Sequence, residues 1–184
     1  NRAPTISARS GVTMIGSSAN SHTQGSAQIN PDTRNNNSIS VSDGGVPKKP
    51  VLEAHVTAQG VEGDRQRNLK IHGGPDRAVC LYSLDVIERL QQAGHSIEPG
   101  FSGENLTLAG LDWGLMQPGV RLTVGPDVEL EVMSYTSPCS HNARWFYDGD
   151  YQRISQKKHP GWSRVYAKVL KEGVVRPGDQ VEVK

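Results

Sequence analysis

Cys139 follows Pro138 in the stretch SYTSPCSHNARWF, residues 134–146, a polar loop that also carries His141, Asn142 and Arg144. A structural cysteine usually sits among apolar neighbours, and this one does not. Several roles are open to it. It can act as a nucleophile with His141, two residues on, as its base. It can act as a soft thiolate ligand to a metal, with Arg144 and His141 favouring the deprotonated form. It can pair with the only other cysteine, Cys80, although a reducing compartment argues against a disulfide. A lone thiolate does not hold zinc, which takes three protein ligands at catalytic sites and four at structural ones. A metal at Cys139 therefore has to arrive with most of its ligands, as part of a cofactor. Cys80, inside RAVCLYS, reads as a small buried hydrophobe.

Three glycine-rich loops carry most of the remaining chemistry. GVEGDRQR places Asp64, Arg65 and Arg67 after two glycines; KIHGGPDRA places His72 before a glycine pair and Asp76 and Arg77 ahead of an apolar run; GFSGENLTL offers Ser102, Glu104 and Asn105 at another strand entrance. Glycines let backbone N–H groups approach a ligand, and arginines add charge-assisted, bidentate bonds suited to phosphate. Together the loops suit an anionic cofactor. Each also has a plainer reading: Gly-Gly-Pro-Asp is above all a turn, Asp64 beside Arg65 a loop-fixing pair, and His72 a donor to a nearby carbonyl. The run His159, Trp162, Arg164, Tyr166 has the residues to stack single-stranded nucleic acid, but one such cluster in a near-neutral domain reads better as half-buried packing.

Elements that position these loops follow from the apolar pattern. Short alternating or apolar runs at 38–42, 51–56, 78–82, 106–108, 121–124, 128–133, 165–170 and 180–183 recur between Gly and Pro punctuation, which predicts strands. Val128, Leu130 and Val132 alternate with Glu129 and Glu131, and Gly125-Pro126-Asp127 supplies a turn. Residues 121–133 thus predict a hairpin whose second strand runs into the cysteine loop. One helix is predicted after Ser83 as cap, with Val86, Ile87, Leu90 and Ala93 as its stripe and Gly94 as its stop. A second is predicted over 150–157. Many short strands with few helices predict a mainly β domain, a closed or nearly closed β-barrel with helical decoration.

Residues 1–37 are rich in Ser, Asn, Thr, Gly and Gln and lack aliphatic periodicity, the composition of a flexible tail ahead of a domain at 38–184. Setting aside Arg2, Arg9, Arg34 and Asp32 leaves 17 basic and 18 acidic residues in the domain. Such a balance creates no global field for nucleic acid or a membrane surface, so an anion must be held locally. No stretch approaches the roughly 20 apolar residues of a membrane span, and no signal peptide is recognisable. The expected compartment is the cytoplasm, with both thiols reduced.

Taken in order, GGVPK at 44–48, GVEGDR at 60–65, HGGPDRAV at 72–79, GENL at 103–106, the pair Pro138-Cys139 and RPGDQVEV at 176–183 resemble the MOSC family, named for the C-terminal domain of molybdenum cofactor sulfurase, and above all its small stand-alone bacterial members. The resemblance implies a β-barrel-like fold, the molybdenum cofactor (molybdopterin), and Cys139 as the ligand to molybdenum. The pterin dithiolene brings two sulfurs, which explains why one exposed cysteine suffices. On this reading Lys48, Arg65 and Arg77 suit the cofactor's phosphate, and Glu104 or Asp64 accept from its pterin N–H groups. His72, Ser102, Asn105 and Arg144 complete the expected cofactor-binding set. The resemblance further implies reduction of N-hydroxylated small molecules, such as hydroxylamino base analogues, with oxygen passing to molybdenum and His141 or His72 supplying protons. Two cysteines are too few for a four-cysteine iron–sulfur site, so electrons are expected from a separate reductase. Pyridoxal phosphate binding is also an expectation at family level. Competing readings are a non-catalytic carrier of the cofactor or of sulfur, a cysteine hydrolase, and a nucleic-acid-binding barrel.

Overall fold

Strands form where β-branched and aliphatic residues alternate, and most of them turn their apolar side chains into one core. The computed structural model describes residues 34–65 and 73–184. Among these the strands are β1 (Asn35–Val41), β2 (Lys49–Val51), β3 (Ala54–Thr57), β4 (Gly60–Val61), β5 (Val79–Ser83), β6 (Leu106–Ala109), β7 (Arg121–Val124), β8 (Val128–Tyr135), β9 (Val165–Lys171), β10 (Gly173–Val175) and β11 (Val181–Val183). Eight of them form one mixed sheet in the order β11-β7-β8-β9-β5-β6-β1-β2, and β10-β3-β4 form a second. Every neighbour pair is antiparallel except β5 and β6, which run parallel with Leu81 opposite Leu106.

That parallel pair needs a crossover, and helix α1 (Leu84–Gln92) supplies it. Ser83 caps it as predicted, its Oγ accepting from the Val86 N–H at 3.3 Å, a contact worth about 1 kcal/mol. Val86, Ile87 and Leu90 are buried against the sheet, each contributing roughly 1.5–3 kcal/mol. The predicted hairpin is β7 and β8, with Leu122 opposite Leu130 and Val124 opposite Val128.

The mainly β, mixed architecture with few helices stands, and among the described residues no continuous ladder joins the two edge strands β11 and β2 of the large sheet. Other expectations are corrected. What joins the start of β1 to the segment before β11 is an isolated bridge, Asn35 to Gln180, reinforced by the Asn36 N–H on the Asp179 carbonyl at 2.8 Å. Asn36 is fully buried there, and its amide nitrogen donates to the Arg176 carbonyl at 3.0 Å. The polar NNN opening is therefore used in this junction, and β1 begins three residues inside the segment expected as tail; residues 1–33 of that segment lie outside the described residues. The run at 51–56 is two strands rather than one, because the chain leaves β1's partner β2 and crosses into the second sheet through exposed Leu52 and Glu53. The helix expected at 150–157 is a single 3-10 turn, Tyr151–Ile154, capped by Asp150. Only Tyr151 and Ile154 are apolar in that window, which is enough for one turn and no more.

Candidate functional site

Four neighbouring strands, β8-β9-β5-β6, end or begin beside one cavity of about 630 Å³. At the end of β8 the Thr136 N–H bonds the Arg164 carbonyl at 3.0 Å, and the chain then leaves the sheet through Ser137-Pro138-Cys139. Cys139 takes the N-terminal position of a 3-10 helix, Ser140–Trp145, its carbonyl accepting from the Asn142 N–H at 2.9 Å. Its side chain is half-exposed and lines the cavity, with Sγ 3.1 Å from the His141 Nδ1. A neutral imidazole accepts from the thiol in this geometry, and a protonated one donates to the thiolate. Both roles suit proton handling at sulfur.

The opposite wall is a tied bundle of loops. Asp64 accepts from the Ser42 N–H at 2.9 Å and from the Asn105 amide at 2.9 Å, and pairs with the Lys48 ammonium at 2.5 Å. Asn105 closes the bundle onto β5, its Oδ1 accepting from the Cys80 N–H at 3.1 Å. Lys48, Asp64 and Asn105 do line the cavity, but most of their capacity is spent on one another. Gly100 locks the same bundle: its carbonyl accepts from the Lys48 N–H at 2.9 Å, its φ is +84°, and a Cβ there would lie 2.8 Å from the Lys48 carbonyl oxygen. Only glycine fits.

Glu104, expected to meet a ligand, is turned away from the cavity. It is fully buried, one carboxylate oxygen accepting from the Gly100 N–H at 2.7 Å and the other from the Ser102 hydroxyl at 2.7 Å. Its role is to hold the loop whose Ser102 faces inward. Arg65 stands at the rim, exposed and paired with Asp43 at 2.9 Å. Arg144 is likewise exposed; it donates to the Val46 carbonyl at 2.7 Å and lies over the Trp145 ring at 4.6 Å. Arg77 lines the cavity with its guanidinium 5.9 Å from the centre of the Tyr166 ring. His72 and Arg67 lie outside the described residues, and Asp76 is exposed on a 3-10 turn away from the cavity wall.

Sequence reasoning missed two inner residues. Arg164 and Asn142 both line the cavity while being 6% and 1% exposed. Arg164 was visible only as part of a basic, aromatic run; the better signal is a charge at the entrance of an apolar strand, where packing alone gives no reason for it. Cys80, although buried in β5, also contributes to the cavity floor. Burial pushes its thiol up to about 11, against partial relief from Arg164. Burial also pushes the Tyr166 phenol up to about 12, so both floor groups stay neutral at pH 8.

The two thiols should therefore react differently. In native protein at pH 8 a maleimide of ordinary size is expected to modify one thiol, Cys139, with Cys80 reacting only after denaturation. Mass spectrometry of the labelled peptides checks this. Rapid native labelling of Cys80 would mean that the floor is open to solvent.

Among the described residues no three His, Cys, Asp or Glu side chains gather as a metal-ligand group. Pyridoxal phosphate finds no support. Lys48, the lysine among the described lining residues, has its ammonium paired with Asp64. No helix among the described residues is long and apolar enough to cross a membrane.

A family model described as "MOSC domain" matches residues 68–182. The chain is 31% identical over 141 residues to the uncharacterized protein YflK of Bacillus subtilis, covering 76% of this chain and 62% of that one. It is 37% identical over 116 residues to protein YiiM of Escherichia coli, covering 60% of this chain and 51% of that one. The chain thus spans between half and two thirds of the length of these curated relatives. The crystal structure of YiiM from Geobacillus stearothermophilus superposes with a TM-score of 0.61 at 25% identity, over 82% of this chain and 75% of the other.

Proposed function

Because the chain belongs to the MOSC domain family, we propose that its cavity binds the molybdenum cofactor with Cys139 as the protein ligand to the metal, and that the loaded protein reduces N-hydroxylated compounds. The observation that carries this reading is the half-exposed Cys139 thiol at a 630 Å³ cavity with the His141 imidazole 3.1 Å away. The donor set fits the group. A soft thiolate suits molybdenum, inner and rim guanidinium groups suit a phosphate, and the neutral floor of Cys80 and Tyr166 suits a flat, uncharged ring system.

When bound, the cofactor supplies a metal centre that accepts oxygen and passes electrons. The chain's own residues do the rest. Cys139 would hold the metal at the loop that follows β8. Arg144 and Arg65 at the rim attract anionic groups, and the loops bound to Asp64 and Glu104 keep the wall rigid. His141 holds a proton beside sulfur and within the cavity mouth, where it is placed to deliver it to a leaving oxygen. The overall change breaks one N–O bond. The substrate takes up two electrons and two protons, the oxygen leaves as water, and a separate reductase supplies the electrons.

The test is to make the protein in cells competent for cofactor synthesis, measure molybdenum, and assay turnover of a hydroxylamino base analogue with an artificial electron donor. Near-stoichiometric molybdenum with turnover is the expected result. Stoichiometric molybdenum without turnover would make the chain a carrier, and absence of molybdenum would overturn the reading.

A further inference from the structure

Outside the cavity, the 3-10 helix that follows Cys139 is fastened at its far end to α1. Beyond that helix Phe146 is buried and Tyr147 is exposed, and both rings close on one imidazole, that of His95. The His95 ring stacks on Tyr147 at 4.8 Å with 11° between planes, and it meets Phe146 at 5.0 Å. His95 stands just past the end of α1, its N–H donating to the Leu90 carbonyl at 3.0 Å. The next residue fastens the same two segments. The Ser96 N–H donates to the Trp145 carbonyl at 2.8 Å, and the Trp145 indole N–H donates to the Phe101 carbonyl at 3.0 Å. Packing alone does not call for an imidazole in this slot, since a phenyl ring would fill it. His95 is 4% exposed, and its Nδ1 is buried with no partner among the described residues. A neutral ring tolerates this with Nδ1 as an idle acceptor, but a protonated ring carries a donor on both nitrogens. The end of α1 offers that donor nothing, because the carbonyls of Arg89, Leu90 and Gln91 already accept from Ala93, His95 and Gly94.

We propose that His95 is a pH-sensitive latch on the cysteine loop: neutral, it holds Phe146 and Tyr147 and keeps the loop closed onto α1; protonated, it leaves its slot and releases the loop. The charges that face the ring from the neighbouring segment are Arg153, Asp148 and Asp150. Both carboxylates are already engaged, Asp148 by the Arg153 guanidinium at 2.5 Å and Asp150 by the Gln152 N–H at 3.1 Å. On the side of His95 itself, Glu88, Arg89 and Glu98 are all exposed. Burial, and after it the Arg153 charge, hold His95 below the usual histidine range, against the opposing pull of Asp148 and Asp150. In the open loop the ring is hydrated and titrates near its ordinary value of about 6.5. The closed form therefore has its full stability above about pH 6.5 and loses stability as pH falls below it, until the ring is protonated in the closed form too. Cys139 and Asn142 ride on the released segment, so acid loosens one wall of the cavity. None of this depends on which chemistry Cys139 performs.

Hydrogen exchange on the full chain, read by mass spectrometry and corrected for the intrinsic pH dependence of exchange, follows the latch directly. Between about pH 7.5 and about pH 5.5, where histidines titrate, protection of residues 140–149 and of the Ser96 amide should fall several-fold further than that of the β7–β8 hairpin. His95→Phe fills the slot with a ring that does not titrate, and its loop should lose no more protection than the hairpin does. If His95→Phe does not fold, His95→Gln is neutral over the same range, and the extra loss at the loop must vanish in it as well. Imidazole NMR resonances, assigned by their loss in the variant, should show His95 titrating below the ordinary value of about 6.5. An equal response of loop and hairpin in the wild type, or the wild-type loop response persisting in the folded variant, would overturn the latch and leave His95 as a packing residue. An imidazole that titrates at or above the ordinary value would do the same.

Discussion

Cys139→Ser should abolish reduction of N-hydroxylated substrates while leaving the fold intact. Serine replaces a soft thiolate by a hard hydroxyl that stays protonated at neutral pH. The loss in turnover should exceed about a hundredfold, beyond the 10–100-fold that follows from disturbing a metal ligand's outer partners. Stability should change little, within about 0.5 kcal/mol, because the side chain is half-exposed and, among the described residues, bonds to exposed His141 alone. Cys80→Ser should behave in the opposite way. It places a hydroxyl in a buried strand position beside the Asn105 carboxamide, costing about 1–3 kcal/mol if that hydroxyl finds no partner, while each folded molecule keeps most of its turnover. Molybdenum content, Tm and turnover measured on both variants separate these outcomes. Normal turnover with bound molybdenum in Cys139→Ser would sink the proposed ligation, and a loss confined to Cys80→Ser would move it to the other cysteine.

Asp64→Ala should be the most destabilising single change near the cavity. Asp64 is 4% exposed and joins three separate segments: Ser42 after β1, Lys48 at the entry to β2 and Asn105 at the entry to β6. Its removal strands an ammonium that is itself 10% exposed, together with a backbone N–H and a carboxamide. Breaking such a pair from one side costs about 3–5 kcal/mol, a large part of a typical stability of about 5–15 kcal/mol, and lowers Tm by roughly 10 °C in a chain of this size. Adding Lys48→Met should recover part of the loss, since the stranded charge is then gone; a double-mutant cycle measures the coupling. A cost below about 1 kcal/mol for Asp64→Ala alone would show that the wall does not depend on this carboxylate.

Local sequence was sufficient wherever one side chain meets its own neighbours. Ser83 announces α1 because a hydroxyl at that position reaches the N–H three residues on. The alternation from Val128 to Val132 announces β8 because a half-buried strand has a period of two. Pro138-Cys139 beside His141 announces a thiol and an imidazole within reach of each other because both groups lie within one short loop, and there the structure keeps them 3.1 Å apart. The order of the glycine loops carried the family, and with it the expectation of where a cofactor sits.

Tertiary structure alone decided which polar residues face the cavity. Glu104 and Ser102 are two positions apart and look alike as candidates, yet one is spent inside its own loop and the other lines the wall. Asp64 reads as a partner of adjacent Arg65, yet it pairs with Lys48, and Arg65 takes Asp43. Those choices depend on contacts between segments far apart in the chain, which no local period encodes. The same is true of Arg164. Its charge is written in the sequence, but its burial, with no ion pair among the described residues, exists only after β8, β9 and the Ser102 loop have packed around it. Local chemistry named the thiol and the elements that carry it, and long-range packing chose its surroundings, because burial and partner choice are properties of the assembled sheet rather than of any stretch of residues.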